Sequence, residues 1–229
     1  MKTSPAALLV SFCLTLSAFS NDPVQDMKLR MDQAAARFHG MTADVQWISY
    51  TAALGDLGKD EQTGNIVILK NPHGEARALV NFIKPDAESF SFEKHTGRQY
   101  LPKSNTVNVY DLGKHADQVQ QFIMIGFGTS GAELAKSYDM TFLGPDTVNG
   151  QETLKLELVP RSADVKKYVT KAELWVPKEG DPYPVQEKLY QPSKDYRISI
   201  YSNLRINPKL SSDAAQLKLP PGVKIVNQN

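Results

Sequence analysis

A chain of 229 residues with 26 lysines and arginines against 25 aspartates and glutamates, net charge +1, has no charge excess to direct at nucleic acid or an anionic membrane. Its single cysteine, Cys13, lies in the N-terminal apolar run. The rest of the chain therefore offers no intramolecular disulfide, no thiolate nucleophile and no cysteine-based metal site.

The first residues, MKTSPAALLVSFCLTLSAFSNDP, place one lysine before an apolar run from Ala6 to Phe19, with small residues Ala18 and Ser20 ahead of Asn21. That pattern is a secretory signal peptide over 1–20, and the run is too short to span a bilayer. Bulky Phe12 directly before Cys13 does not suit lipidation of that cysteine. Export without disulfides points to a bacterial periplasm. The mature chain, 21–229, has the length of one domain with a sizeable core.

The mature chain opens with a helix, NDPVQDMKLRMDQAAARFHG. Asp22 caps it, Pro23 sits in its first turn, and Gly40 is expected to end it. Met27, Met31, Ala34, Ala35 and Phe38 share one apolar face. From Thr42 the period changes to two. Val45 and Trp47 alternate with Asp44 and Gln46, and GNIVILK, ARALVNFI, ESFSFEK, TVNVYD, TLKLELV, TKAELWV, VQEKLYQ and YRISIYSNL continue the alternation. Turn sequences such as Asn149-Gly150 separate them. No strand–helix–strand unit of parallel-sheet spacing occurs, so the strands form an antiparallel meander that curls round an apolar core.

Midway, IMIGFGTSGAELAKSYDM contains Gly126, Gly128 and Gly131 in G-x-G-x-x-G spacing. A dinucleotide loop needs a βαβ setting, and the neighbours here are hairpins. The preceding KHADQVQQFIMI reads as a helix with Val119, Phe122 and Ile123 on one face, ended by Gly126 in a left-handed conformation. Ser130 and Glu133 make a capping box that opens a second helix. The glycines punctuate two short helices. Phe122, Ile123, Met124, Ile125 and Phe127 exceed what a small surface helix needs. They suit either an ordinary helix–sheet core or a lid over a changeable apolar ligand.

Catalytic motifs are missing. His39, His73, His95 and His115 lie far apart, with no H-E-x-x-H and no G-x-S-x-G. Neither enzyme activity, nor a metal, nor a cofactor is expected.

In their order, RFHGMTADVQW after the helix, QYLPKSNTVNVYDL, TFLGPDTVNGQETLKLELVPRS and the closing AELWVPKEGDPYPVQEKLY to LKLPPGVKIV resemble the LolA periplasmic lipoprotein-carrier superfamily across nearly the whole mature chain. The resemblance implies a mainly β (α+β) fold. It is an unclosed antiparallel half-barrel of about ten to eleven strands, with helices plugging its concave face. Here the helical lid insertion falls near 115–138. The implied function is to shield acyl chains of a lipoprotein or lipid in an apolar cavity and move them toward the outer membrane. The implied partners are an inner-membrane release complex and an outer-membrane acceptor, with the carrier a periplasmic monomer.

By the same resemblance, Trp47, Phe82, Phe90, Phe92, Leu154, Leu156 and Trp175 would form the concave wall, and Met31, Phe38, Phe122, Ile123 and Phe127 the lid. Period two assigns each residue a face without saying which face is concave. An arginine in a Lys-Arg-Pro-like turn holds the family's lid shut. The matching LKNPHG has Asn71 in that place, which donates a hydrogen bond but no bidentate charged one, and Arg77 is the candidate substitute. The alternative reading is a periplasmic lipid-sensing regulator that binds a protein partner on the same half-barrel. Such regulators carry a second C-terminal domain, for which no sequence follows Val226 here beyond a short tail.

Overall fold

The structure, a computed structural model, describes residues 22–228. The expected signal peptide and its cleavage site lie outside the described residues.

Helix α1 (Pro23–Arg37) starts where the Asp22 carboxylate accepts the Val24 N–H at 3.0 Å, with Pro23 at a position that needs no donor. Met27, Met31, Ala34 and the capping Phe38 are buried on one face. The helix stops at Phe38, which is already extended, so Gly40 does not end it as expected. Gly40 instead opens the first strand, where a Cβ would stand 2.7 Å from the Ile68 carbonyl oxygen. It is a close-approach residue, not a helix terminator.

Twelve strands follow: β1 (Gly40–Tyr50), β2 (Lys59–Lys70), β3 (Ala76–Lys84), β4 (Glu88–Glu93), β5 (Thr96–Leu101), β6 (Thr106–Asp111), β7 (Tyr138–Val148), β8 (Gln151–Pro160), β9 (Lys171–Pro177), β10 (Gln186–Tyr190), β11 (Tyr196–Ile206) and β12 (Lys224–Gln228). Between β6 and β7 run α2 (Ala116–Ile123) and α3 (Gly131–Ser137), and α4 (Ala163–Lys166) follows β8. All twelve strands belong to one sheet, in the order β12-β6-β5-β4-β3-β2-β1-β11-β10-β9-β8-β7. Its edges, β12 and β7, do not meet, so the half-barrel is open. Neighbours are antiparallel except for β12, which runs parallel to β6.

Three strands are irregular. In β5 every residue is half-buried, so no face stands out. β7 bulges between Phe142 and Gly144, whose φ of +101° is open to glycine, and Pro145 follows. Such irregularity is tolerated because β7 is an edge. β12 is five residues of mostly exposed chain held by its backbone ladder to β6.

The helices lie on one face of the sheet and divide its core in two. One cluster joins Phe38, Met124 and Phe127 to Met41, Val45, Ile68, Phe82 and Phe92 of β1–β4. The other joins Met27, Met31, Ile125 and Leu134 to Leu156, Leu158, Leu174 and Val176 of β8 and β9. Burial of each such side chain contributes roughly 1.5–3 kcal/mol.

Helices α1 and α3 touch through a glycine. A Cβ on Gly131 would come 2.5 Å from both the Cα and the carbonyl oxygen of Lys28, which are backbone atoms that cannot swing away. Gly131→Ala therefore lowers stability by about 1–3 kcal/mol through forced separation of the helices, although alanine is the better helix former by roughly 1 kcal/mol. Urea unfolding checks this, and a gain in stability would contradict the close packing.

Candidate functional site

The glycine stretch is what lets the chain lie down on the concave face. Helix α2 ends at Ile123, Met124 caps it, and the backbone then passes through Gly126 (φ +74°) and Gly128 (φ +81°). Both values favour glycine, and there is no room for a side chain either. A Cβ would stand 2.6 Å from Pro184 Cγ at Gly126 and 2.4 Å from Phe38 Cδ1 at Gly128. The residues between are driven inward, leaving Ile125 and Phe127 each 1% exposed. Phe127 stacks on Tyr183, ring centroids 6.3 Å apart, and meets Tyr201 edge-on at 5.1 Å. Ser130 then closes a capping box with Glu133 to start α3. This segment is an apolar plug flanked by helices, and its glycines hold no phosphate cradle.

Most of the expected wall and lid residues meet around that plug. Phe82, Phe92 and Leu156 are buried in the wall; Met31, Phe38 and Phe127 are buried in the covering elements. Trp47, Phe90 and Leu154, with Phe122 and Ile123 of α2, are half-buried at the margins of the two clusters. Trp47 and Phe82 are in ring contact at 4.6 Å.

Trp175 is a correction. Ala172, Leu174 and Val176 take the concave positions of β9, so the pleat turns Trp175 and Glu173 to the other face. There its Nε1–H donates to Asp146 Oδ2 at 2.7 Å and Lys155 Nζ lies 4.5 Å from its ring centroid. The indole N–H of a buried tryptophan needs an acceptor, and on the convex face Asp146 supplies it.

The lid contact is the second correction. Asn71 Oδ1 accepts the backbone N–H groups of His73 and Glu75, each at 2.9 Å, and its Nδ2 donates to Glu75, so its capacity is spent inside the β2–β3 turn. Arg77 pairs with Glu93 at 2.9 Å. The residue that reaches the plug is Lys70, whose Nζ donates to the Gly128 carbonyl at 2.9 Å. Gln120 Nε2 donates to the Gly74 carbonyl at 3.5 Å, and the Ala132 N–H donates to Asp32 Oδ1 at 3.0 Å.

Beside α2 the cover is incomplete. A cavity of about 720 Å³ opens between Val119 and Phe122 of α2, the Tyr168–Val169 segment, and Leu189 and Arg197 of β10 and β11. Next to it are polar groups that alternation alone did not single out. Glu187 is 7% exposed and accepts the Tyr201 O–H at 3.1 Å. Burial pushes the Glu187 carboxyl up to about 8 and raises the Tyr201 phenol well above its ordinary value. Burial likewise lowers the Arg197 guanidinium. The signal available in the sequence was parity, because Glu187 lies two residues from inward-facing Leu189. Among the described residues, no three His, Cys, Asp or Glu side chains group as a metal site.

No family model matches the chain, and no curated protein matches it in sequence. Solved structures do match it. An uncharacterized conserved protein from Thermus thermophilus overlaps with a TM-score of 0.55 at 13% identity, covering 90% of this chain and 100% of its own. MucB, also solved in a complex with MucA from Pseudomonas aeruginosa, overlaps with a TM-score of 0.51 at 14% identity, covering 85% of this chain and 62% of MucB. A LolA superfamily protein from Nitrosomonas europaea overlaps more loosely, TM-score 0.39 at 12% identity, covering 82% of this chain and 94% of its own. The chain shares its open half-barrel fold with the Thermus thermophilus protein and with MucB. At these identities the likeness speaks of fold alone.

Two expectations follow. Lys70→Met removes the charged hydrogen bond to Gly128 and costs about 1–3 kcal/mol, while speeding uptake of an apolar fluorophore. Urea unfolding and stopped-flow fluorescence check the pair, and unchanged uptake would mean that Lys70 does not hold the plug. The second concerns pH. Below about 4.5 Glu187 is protonated in both folded and unfolded chains. From there to about 8 only the unfolded chain has released the proton, so this group's contribution to stability falls as pH rises and levels off above about 8. Glu187→Gln flattens that part of the stability profile; an unaltered slope would contradict the assignment.

Proposed function

We propose that this chain is a periplasmic carrier of lipids or acylated proteins that shields acyl chains on the concave face of the half-barrel. Residues 1–20 act as the export signal, 21–229 form one domain, and the segment near 115–138 is the lid. The observation that carries this reading is that the apolar concave face is covered by a glycine-bent plug and not by a second sheet. Each methylene kept from water is worth about 0.8 kcal/mol. An acyl chain can therefore replace Met124, Ile125 and Phe127 on the same surface with little net change in exposed apolar area. Loading and release need that exchange to be reversible, and the few polar contacts of the plug, centred on Lys70 and Gly128, leave it so. The protein acts as a monomer without catalysis, receiving cargo from an inner-membrane release complex and giving it to an outer-membrane acceptor.

A second reading, a lipid-sensing regulator that binds a protein partner, draws on the overlap with MucB and on its complex with MucA. Both readings require an apolar ligand on the concave face.

Phe122→Glu puts a charge at the mouth of the cavity beside α2 and is expected to weaken binding of an apolar fluorophore at least about tenfold, or ~1.4 kcal/mol. Trp175→Phe, on the opposite face, is expected to leave binding within about twofold, or ~0.4 kcal/mol. Fluorescence titration of the two variants checks the assignment of faces. Equal losses in both, or in neither, would remove the cavity from the account.

A further inference from the structure

The cavity beside α2 contains a cation that no lining acid neutralises. Arg197 stands on the concave face of β11, between Ser49 of β1 and Leu189 of β10. Its guanidinium lies over the Trp47 ring, 4.1 Å from the centroid, a cation–π contact that holds the group in place. Its Nε is buried without a hydrogen-bond partner among the described residues. The side chain is half-buried where it lines the cavity.

The residues nearby do not balance its charge. Among the described residues, no aspartate or glutamate lines the cavity, and Lys167 at the rim is engaged with Asp164 at 2.7 Å. The acid that faces Arg197 from β10 is Glu187, which accepts the Tyr201 hydroxyl. Burial shifts that carboxyl toward its neutral form, so it offsets the arginine charge only in part. An isolated buried cation is costly unless something pairs with it. The remaining lining includes Val119, Phe122, Val169 and Leu189, which suits hydrocarbon.

We propose that the cavity beside α2 binds an acidic amphiphile, with its carboxylate or phosphate paired to the Arg197 guanidinium and its acyl chain against Phe122, Val119 and Leu189. This rests on the reading of the concave face as a lipid site and narrows the cargo to lipids with an anionic head. A guanidinium carries its donors as a planar fork, which matches carboxylate and phosphate oxygens alike. The volume, about 720 Å³, lies within the roughly 300–1,000 Å³ range of small-molecule sites.

The test is fluorescence titration of the delipidated mature protein with dansyl-undecanoic acid and with its methyl ester, which differ in the anion alone. The acid is expected to bind at least about tenfold more tightly, or ~1.4 kcal/mol. Arg197→Met is expected to bring the acid to the affinity of the ester without loss of ester binding, and Arg197→Lys to restore part of the difference. Thermal melting of each variant confirms that it folds. Competition by lauric acid against dodecyl phosphate then tells a carboxylate head from a phosphate head, and displacement by either supports the class. Equal affinity for acid and ester in the parent protein, or a preference that survives Arg197→Met, would overturn the acidic-head assignment while leaving the carrier reading intact. Failure of both probes to bind would overturn both.

Discussion

A sheet that curls without closing leaves one apolar face that water must not reach, and the whole molecule is arranged around how that face is covered. Helix α1 and the stretch from Ala116 to Ser137 lie over it, and the contact at its centre is Phe127 against Phe38, Tyr183 and Tyr201. Three glycines make the contact possible. Gly126 and Gly128 take backbone angles that bend the chain inward, and Gly131 lets α3 approach α1 to backbone contact. Tyr183 joins the same assembly, its hydroxyl donating to the Ala34 carbonyl at 3.0 Å.

The other face keeps the sheet in water. Lys171 bridges Glu157 and Glu173 at 2.8 and 3.0 Å, and Lys155 reaches Glu173 at 3.0 Å while lying over Trp175. These pairs have modest worth individually. Their placement separates a charged convex side from a largely apolar concave side. The edges are managed as well. β7 is bent by its bulge and carries Pro145 just beyond it, which discourages another strand from adding there.

Much of this was legible in the residues. The spacing of Met27, Met31, Ala34 and Phe38 gave the covering face of α1, and S-x-x-E gave the start of α3. Alternation in TLKLELV placed Leu154, Leu156 and Leu158 together on the inside. It could not place Trp175, because KAELWV supports either phase and the choice depends on an acceptor, Asp146, that is distant in sequence. The Lys70 contact was hidden for a related reason. A lysine at a strand end looks solvated until the plug brings the Gly128 carbonyl to it. Parity with Leu189 points Glu187 inward, but neither Glu187 nor Arg197 is apolar, and it is the register of β1, β11 and β10 that places both on the concave face.

The central claim is that the concave face exists to hold an acyl chain that exchanges with the plug. The most direct measurement is native mass spectrometry of the mature protein purified from periplasm without detergent, followed by organic extraction of what it holds. The account predicts a bound species that extracts as a lipid or acylated peptide and is lost on Phe122→Glu. A mass equal to the bare chain, with no uptake of an apolar fluorophore, would contradict it and leave the helices as a permanent part of the core.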